Sequence, residues 1–347
     1  MIPAIEQLCV YARTLAVLGV ALGTFGTAIQ SAIADGRPLH SPPRHSSSDE
    51  ILLLNTRMVG TACDDISMSR RLQCEQCVAT PHQAPQWKPR DWNDLVFDSA
   101  AARPTVIYIH GNRIARGEDR RQGLQVYRSL TRLGNLNEPI RFIIWSWPSS
   151  AIPGPVKDYK VKACRTRPAA WQLAWFLDQL PAESRVSLLG YSYGARVASG
   201  AMHVLGGGSL DGLKLHQRNH PQHKPFRVAL IAAAFDANWI QPGHFHSRVM
   251  SQVKSLMIAT NQLDPIMRFY HLSNGRGHVD ALGKRGVAQP QTLGSAIRNI
   301  KMIDFTRAVG RSHALVNYLA VSGKMQSIWQ ELLATDASAH LSKLSFH

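Results

Sequence analysis

The chemistry-bearing part of this chain is the stretch LLGYSYGARVA, Leu188 to Ala198, where Ser192 stands between Gly190 and Gly194 directly after the mostly apolar run Val186–Leu189. A serine hydroxyl is a poor nucleophile until a base takes its proton, and it is best presented from a sharp turn between a strand and a helix. Such a turn needs a strand that stops abruptly, small residues two places either side of the serine so that backbones can approach, and a helix that leaves at once. Arg185–Leu189 supplies the strand, Gly190 and Gly194 the small residues, and Ala195–Leu205 an alanine-containing helix.

A nucleophilic serine implies a histidine base, and the base implies a carboxylate that fixes its tautomer and stabilises its charged form. Asp264, in NQLDP, follows the candidate strand Lys254–Ala259; His313, in GRSHALV, follows the candidate strand Lys301–Phe305. The chain order is therefore serine, acid, histidine. Asp236, in AAAFDAN one strand earlier, is the alternative acid, and His278 competes with His313; Asp304 lies within a strand and reads as structural. His244 and His246 have the H-x-H spacing of a metal pair but no third ligand nearby, which suits a surface loop better. Acyl transfer also needs donors aimed at the developing oxyanion. The backbone N–H of Tyr193 is one candidate, and Asn112, in the HGNR turn after VIYI, offers the second. Trp145, Trp147 and Tyr191 are candidates to line an acyl pocket, with the core as the alternative place for the two tryptophans. Nothing in this set calls for a metal or an organic cofactor.

These residues have to be carried by alternating strands and helices. Short β-branched or apolar runs at Ile51–Asn55, Thr105–Ile109, Arg141–Ser146, Arg185–Leu189, Arg227–Ala232, Lys254–Ala259 and Lys301–Phe305 read as strands. Between them, Gly123–Leu133 and Trp171–Leu180 carry apolar residues at helical spacing. Strands alternating with helices predict a mostly parallel sheet with helices packed on both faces. The Gly- and His-rich stretch Gly206–Pro225 breaks the rhythm and reads as a long exposed connection, with a substrate-covering role as the alternative.

The first 34 residues read as a signal peptide: Arg13, an apolar Leu15–Ile29 and the small-x-small Ala32-Ile33-Ala34 come in that order. An uncleaved N-terminal membrane anchor is the alternative, although the apolar stretch falls short of the ~20 residues that span a bilayer. Residues 35–49 form a Pro-, His- and Ser-rich leader, and one domain is expected from 50 to 347. The chain's formal charge is +16; residues 1–34 hold only Glu6 and Arg13, so the remainder keeps all of it. The basic residues are scattered and no recognition motif for nucleic acid accompanies them, so a solvated basic surface is expected, with an anionic envelope surface as the alternative partner for that charge. Cys63, Cys74, Cys77 and Cys164 remain after the signal, enough for two disulfides in three connectivities in an exported chain.

Together, LLLNTR (Leu52–Arg57), HGNR (His110–Arg113), IWSWPS (Ile144–Ser149), GYSYGA (Gly190–Ala195), NQLDP and SHALV resemble the α/β-hydrolase superfamily, and within it a branch with TR, HGN, SWPS and GxSxG motifs. The resemblance runs from about Glu50 to Leu319. One departure is that Asn112 follows Gly111 directly and Arg113 stands where the pattern places its asparagine. The resemblance implies an α/β-hydrolase fold and an exported serine hydrolase acting on a small-molecule ester or related acyl bond, in the periplasm or outside the cell. Ser192, His313 and Asp264 would form its triad. The competing expectation is a catalytically inactive binding protein of the cell envelope on the same fold.

Overall fold

The computed structural model describes residues 49–78, 84–97, 103–216, 225–268, 270 and 279–334. The expected signal segment, most of the leader and the competing base His278 lie outside the described residues.

Nine strands form one sheet: β1 (Glu50–Asn55), β2 (Gln73–Val78), β3 (Gln86–Arg90), β4 (Thr105–Ile109), β5 (Arg141–Ser146), β6 (Val186–Tyr191), β7 (Phe226–Ile231), β8 (Val253–Thr260) and β9 (Ile300–Asp304). Their order across the sheet is β3-β2-β1-β5-β4-β6-β7-β8-β9. Every neighbouring pair is parallel except β1–β2 and β2–β3. The central strands, such as TVIYI and RFIIWS, are buried along their whole length, which is why they read as unbroken apolar runs and not as alternating patterns.

Alternate residues of each strand feed two separate cores. Leu52, Leu54, Ile107 and Ile109 point to one face and Ile51, Leu53, Val106 and Tyr108 to the other. The first face is covered by α1 (Asp65–Arg71), α3 (Pro155–Gln179) and α4 (Tyr193–Leu205), the second by α2 (Glu118–Leu133) and, near the chain's end, α8 (Leu315–Leu319) and α9 (Ser322–Leu333). Three one-turn helices, α5 (Pro265–Arg268), α6 (Leu282–Arg285) and α7 (Thr306–Val309), occur in loops and precede α8. The expected mostly parallel sheet with helices on both faces is therefore present. Among the described residues, no helix is long and apolar enough to cross a membrane.

Three features differ from expectation. The hairpin of β2 and β3 is absent from the apolar pattern because QCEQCV and QWKPR are polar; they form the partly exposed end of the sheet, where Pro89 is tolerated on the edge strand. Helix α3 begins sixteen residues before Trp171. Its first half buries Asp158, Lys162 and Thr166 at four-residue spacing instead of an apolar stripe, and Pro168 sits inside it. Finally, the two expected disulfides are not formed: Cys63, Cys74, Cys77 and Cys164 are all free thiols. Cys74 and Cys77 are three places apart on β2, so they face opposite sides of the sheet and belong to different cores. Burial pushes the thiols of Cys63 and Cys74 up to about 12, which suppresses their thiolate forms.

Candidate active site

Ser192 follows β6 and caps α4 with φ +55° and ψ −118°, a conformation costly for any residue with a Cβ. Its N–H donates to the Ile231 carbonyl at the end of β7 (2.9 Å). The flanking glycines are required by packing. A Cβ at Gly190 would meet the Ala195 backbone at 2.6 Å, and one at Gly194 would lie 2.1 Å from the Ile109 carbonyl oxygen. Helix α4 can therefore start at once beneath the strand it leaves, with all thirteen of its residues buried.

The structure brings Ser192, His313 and Asp264 into one row. His313 Nδ1 lies 2.7 Å from Asp264 Oδ2, a geometry in which the ring N–H donates to the carboxylate, and Nε2 then accepts from Ser192 Oγ at 3.1 Å. Asp264 is fully buried and His313 nearly so. Four groups satisfy the carboxylate: Oδ1 accepts from the Ile266 and Met267 amides at the start of α5 (2.9 and 3.2 Å), and Oδ2 accepts from His313 and, at 3.4 Å, the Tyr318 hydroxyl. A hydroxyl, an imidazole and a carboxylate in this order can move a proton from oxygen to the ring.

Two further residues hold the histidine loop. Buried Asn261 donates through Nδ2 to the carbonyls of Gly310 (2.9 Å) and Ser312 (3.2 Å), while its Oδ1 accepts from the Leu263 amide (3.0 Å). It thus ties the loop that carries Asp264 to the loop that carries His313. The Tyr191 hydroxyl donates to the His313 carbonyl at 2.5 Å, and its ring lies against the imidazole with centroids 5.4 Å apart. Asn261 is three residues before the acid in a turn, where only the folded contact reveals its task. Tyr191 is buried against the candidate base, while Trp145 and Trp147 are buried in the core.

The HGNR turn approaches the serine. A Cβ on Gly111 would come within 3.3 Å of Ser192 Cβ and 3.0 Å of the Tyr191 ring, so glycine is what lets this loop close on the turn. Tyr193, the other candidate oxyanion residue, opens α4, so its amide is at the positive end of the helix dipole. Behind the loop, Trp147 Nε1 donates to the His110 carbonyl (2.8 Å), and Ser146 Oγ donates to Asp119 Oδ2 (2.6 Å). Arg57 spans the same region, donating to Ser146 Oγ (3.0 Å), Ser150 Oγ (3.0 Å) and the Ile114 carbonyl (2.8 Å). Burial, with the charge of Arg57 adding to it, lowers the His110 pKa to about 4, so that imidazole is neutral at ordinary pH.

The rivals go elsewhere. Asp236 Oδ2 accepts from Trp239 Nε1 (2.8 Å), whereas His313 Nδ1 is paired with Asp264. Half of the H-x-H pair, His246, is buried with its Nδ1 2.9 Å from Ser199 Oγ and its ring among Phe235, Trp239 and Phe245. Among the described residues, no three His, Cys, Asp or Glu side chains are grouped to hold a metal. The connection Gly206–Pro225 is described only to residue 216 and at Pro225.

The sheet order, the strand–turn–helix at Ser192 and the helices on both faces define an α/β fold of α/β-hydrolase type. No protein-family model matches the chain, and no curated protein matches it. Solved structures similar to it include esterase B from Lactobacillus rhamnosis, 15% identical with a TM-score of 0.41 over 95% of this chain and 97% of that one. Carboxyl esterase 2 from Tuber melanosporum is 14% identical, with a TM-score of 0.40 over 89% and 98%. An IroE-like serine hydrolase from Shewanella oneidensis is 12% identical, with a TM-score of 0.36 over 76% and 77%. Likeness at this level is too distant to speak for activity, and the fold class rests on the topology itself.

Proposed function

We propose that this chain is a serine hydrolase that cleaves carboxylic esters or related acyl bonds of small molecules through an acyl-enzyme. The observation that carries the reading is the buried row Ser192 Oγ, His313 Nε2, His313 Nδ1, Asp264 Oδ2, at 3.1 and 2.7 Å. Ser192 Oγ attacks the carbonyl carbon as its proton passes to His313 Nε2. The tetrahedral oxyanion is met by the backbone amides of Tyr193 and Asn112. His313 gives its proton to the leaving alcohol, and the C–O bond breaks. Water then enters, loses a proton to His313 and releases the acid, restoring the Ser192 hydroxyl. Asp264 keeps Nδ1 protonated throughout and stabilises the imidazolium between the two proton transfers.

Export is part of the same proposal, supported by the composition of residues 1–34. Its +16 charge suits work near an anionic envelope surface. The high thiol pKa values of Cys63 and Cys74 make those residues slow to oxidise in such a compartment.

The test is labelling with a fluorophosphonate probe, comparing the chain lacking residues 1–34 with Ser192→Ala and His313→Ala. Labelling that both substitutions abolish is the expected result, followed by turnover of short-chain p-nitrophenyl esters. A folded wild-type chain that does not label overturns the reading and favours a binding protein on the hydrolase fold.

A further inference from the structure

Asp158 and Lys162 face each other one turn apart in α3, with side chains 1% and 0% exposed and Nζ 2.9 Å from Oδ1. Taking two charges out of water costs several kcal/mol per ion, and an apolar pair of similar size is often as stable, so such a pair is poor evidence of stabilisation. Its contacts indicate what else it does. Asp158 Oδ1 also accepts from the Ile152 amide (3.0 Å), and Lys162 Nζ donates to the Ser150 carbonyl (2.5 Å), which fixes the segment after β5. Asp158 Oδ2 accepts from Asn112 Nδ2 at 3.1 Å. The carbonyl of the next residue, Tyr159, accepts from the Tyr193 hydroxyl at 3.2 Å, and the two tyrosine rings meet edge to face. Two adjacent residues of α3 thus grip the side chains of both residues whose backbone amides are the candidate oxyanion donors.

The HGNR turn needs such a grip. Its next residue, Arg113, has φ +60°, and the turn is joined to the segment after β5 by the bond from the Arg113 amide to the Ser149 carbonyl (2.8 Å). A side-chain anchor on Asn112 restricts the peptide that carries its N–H, and a charge-assisted anchor in a dry setting is a strong one. Lys162 compensates that buried carboxylate at 2.9 Å, with the Arg113 guanidinium farther off at 3.9 Å.

We propose that Asp158, held by Lys162, is a positioning residue that fixes Asn112 so that its backbone amide meets the oxyanion formed at Ser192. The proposal rests on the serine-hydrolase reading and names a residue that acts through another. Removing an oxyanion donor outright costs about 10²–10³ in kcat, so loosening one should cost roughly 10- to 100-fold.

Asn112→Ala keeps the backbone N–H and deletes only the anchored carboxamide. It should lower kcat by that factor, leave KM within about twofold, and weaken inhibition by an aryl boronic acid, a tetrahedral-adduct former, in proportion. Its pH profile for kcat/KM should match wild type, because the His313–Asp264 contact is untouched. Asp158→Asn leaves Lys162 buried without its partner and can fail to fold, so the paired replacement Asp158→Leu/Lys162→Met is the second variant. It should fold, show the same loss of kcat, and add nothing further when combined with Asn112→Ala, as expected of residues acting as one unit. If Asn112→Ala or the folded paired variant turns over within twofold of wild type, the proposal is wrong. A wild-type chain that neither labels at Ser192 nor hydrolyses any ester removes the serine-hydrolase reading and this proposal with it, and that outcome appears before any variant is made.

Discussion

Gly194→Ala puts one methyl group where the fold has no room for it. The new Cβ would lie 2.1 Å from the Ile109 carbonyl oxygen, 2.6 Å from that of His110 and 2.7 Å from the Ile109 carbonyl carbon, all backbone atoms. Ordinary contact begins near 3.4 Å, so helix and strand must separate by about 1.3 Å at this point. Neither can yield locally: Ile109 is paired with Trp145 of β5 on one side and Gly190 of β6 on the other, and α4 is buried throughout. Overpacking of this kind costs about 1–3 kcal/mol, which for a domain of this size lowers Tm by roughly 3–10 °C. The atoms pushed belong to the end of β4 and the first residue of the HGNR turn, and a 1 Å misplacement of a reacting group can cost about 10²-fold in rate. The expected variant is therefore folded at 25 °C, less stable, and about 10²-fold slower in kcat/KM and in fluorophosphonate labelling. Gly207→Ala is the control: its added Cβ has nothing within 4 Å and only the φ of +80° opposes it. That strain costs about 1–2 kcal/mol and should leave the rate of the folded enzyme unchanged. A Gly194→Ala protein that melts within 1 °C of wild type and reacts within threefold of it would refute the steric account of this turn.

Asp264→Asn keeps the shape of the acid but favours the wrong His313 tautomer, so kcat should fall by about 10⁴-fold, whereas Asp236→Asn should stay within a few-fold; ester turnover by the two variants decides between the two carboxylates. Asn261→Ala removes the two donors to Gly310 and Ser312, and should lower stability by about 1–3 kcal/mol and slow turnover while leaving KM nearly unchanged, as read by denaturant melts and steady-state kinetics. Burial first, then Arg57, holds His110 at about 4 against an ordinary 6.5, so the unfolded chain takes up the proton first and stability is present above pH 6.5 and lost as the pH falls towards 4, by on the order of 2–3 kcal/mol. His246, also driven down by burial, acts in the same direction, whereas the buried carboxylate of Asp119, held below its usual range despite its burial by Ser146 and neighbouring positive charge, loses its contribution only below about pH 4. His110→Gln should flatten the slope of unfolding free energy between pH 6.5 and 4.5, and an unchanged slope would exclude His110 as its source.

The legible parts of this fold are those where apolar burial sets the sequence. TVIYI and RFIIWS are buried on both faces and can be little else than central strands, and their observed limits coincide with the apolar runs. The Ser192 turn is readable because two steric demands, at Gly190 and Gly194, leave only glycine. Chain order suggests Asp264 and His313 as candidates, the first four residues past β8 and the second nine residues past β9, beyond α7. What pattern could not reveal are elements held by polar contacts. QCEQCV pairs through its backbone while its side chains carry no apolar alternation, and the first half of α3 turns Asp158 and Lys162 inward, where a helical apolar stripe is normally sought. Asn261 and Tyr318 are equally silent, since an amide or phenol declares its partner only when distant loops meet. The cysteine count suggested disulfides because a count carries no positions in the fold; of the three connectivities, the one that joins Cys74 to Cys77 fails because the two face opposite ways.

That division follows from how the candidate site is built. Ser192, the HGNR turn, Asp264 and His313 all lie past the carboxyl ends of parallel strands, where the sheet's hydrogen bonding has ended and each loop must be held by other means. Two of these loops contain left-handed backbone at non-glycine residues, φ +55° at Ser192 and +60° at Arg113, each worth about 1–3 kcal/mol of strain. Against a net stability of about 5–15 kcal/mol that is a substantial share, and two extensive cores on either face of the sheet are what let the fold sustain it. The anchors that hold the strained turns are correspondingly polar and directional: Asp158 on Asn112, Asn261 on the Gly310–Ser312 carbonyls, Tyr191 on the His313 carbonyl. An apolar contact could bury the same area, but it tolerates sliding, and a hydrogen-bonded row set to 3.1 and 2.7 Å does not. The polar residues buried around this end of the sheet are thus best understood as the means by which a core with little intrinsic preference for one exact loop geometry is made to hold one.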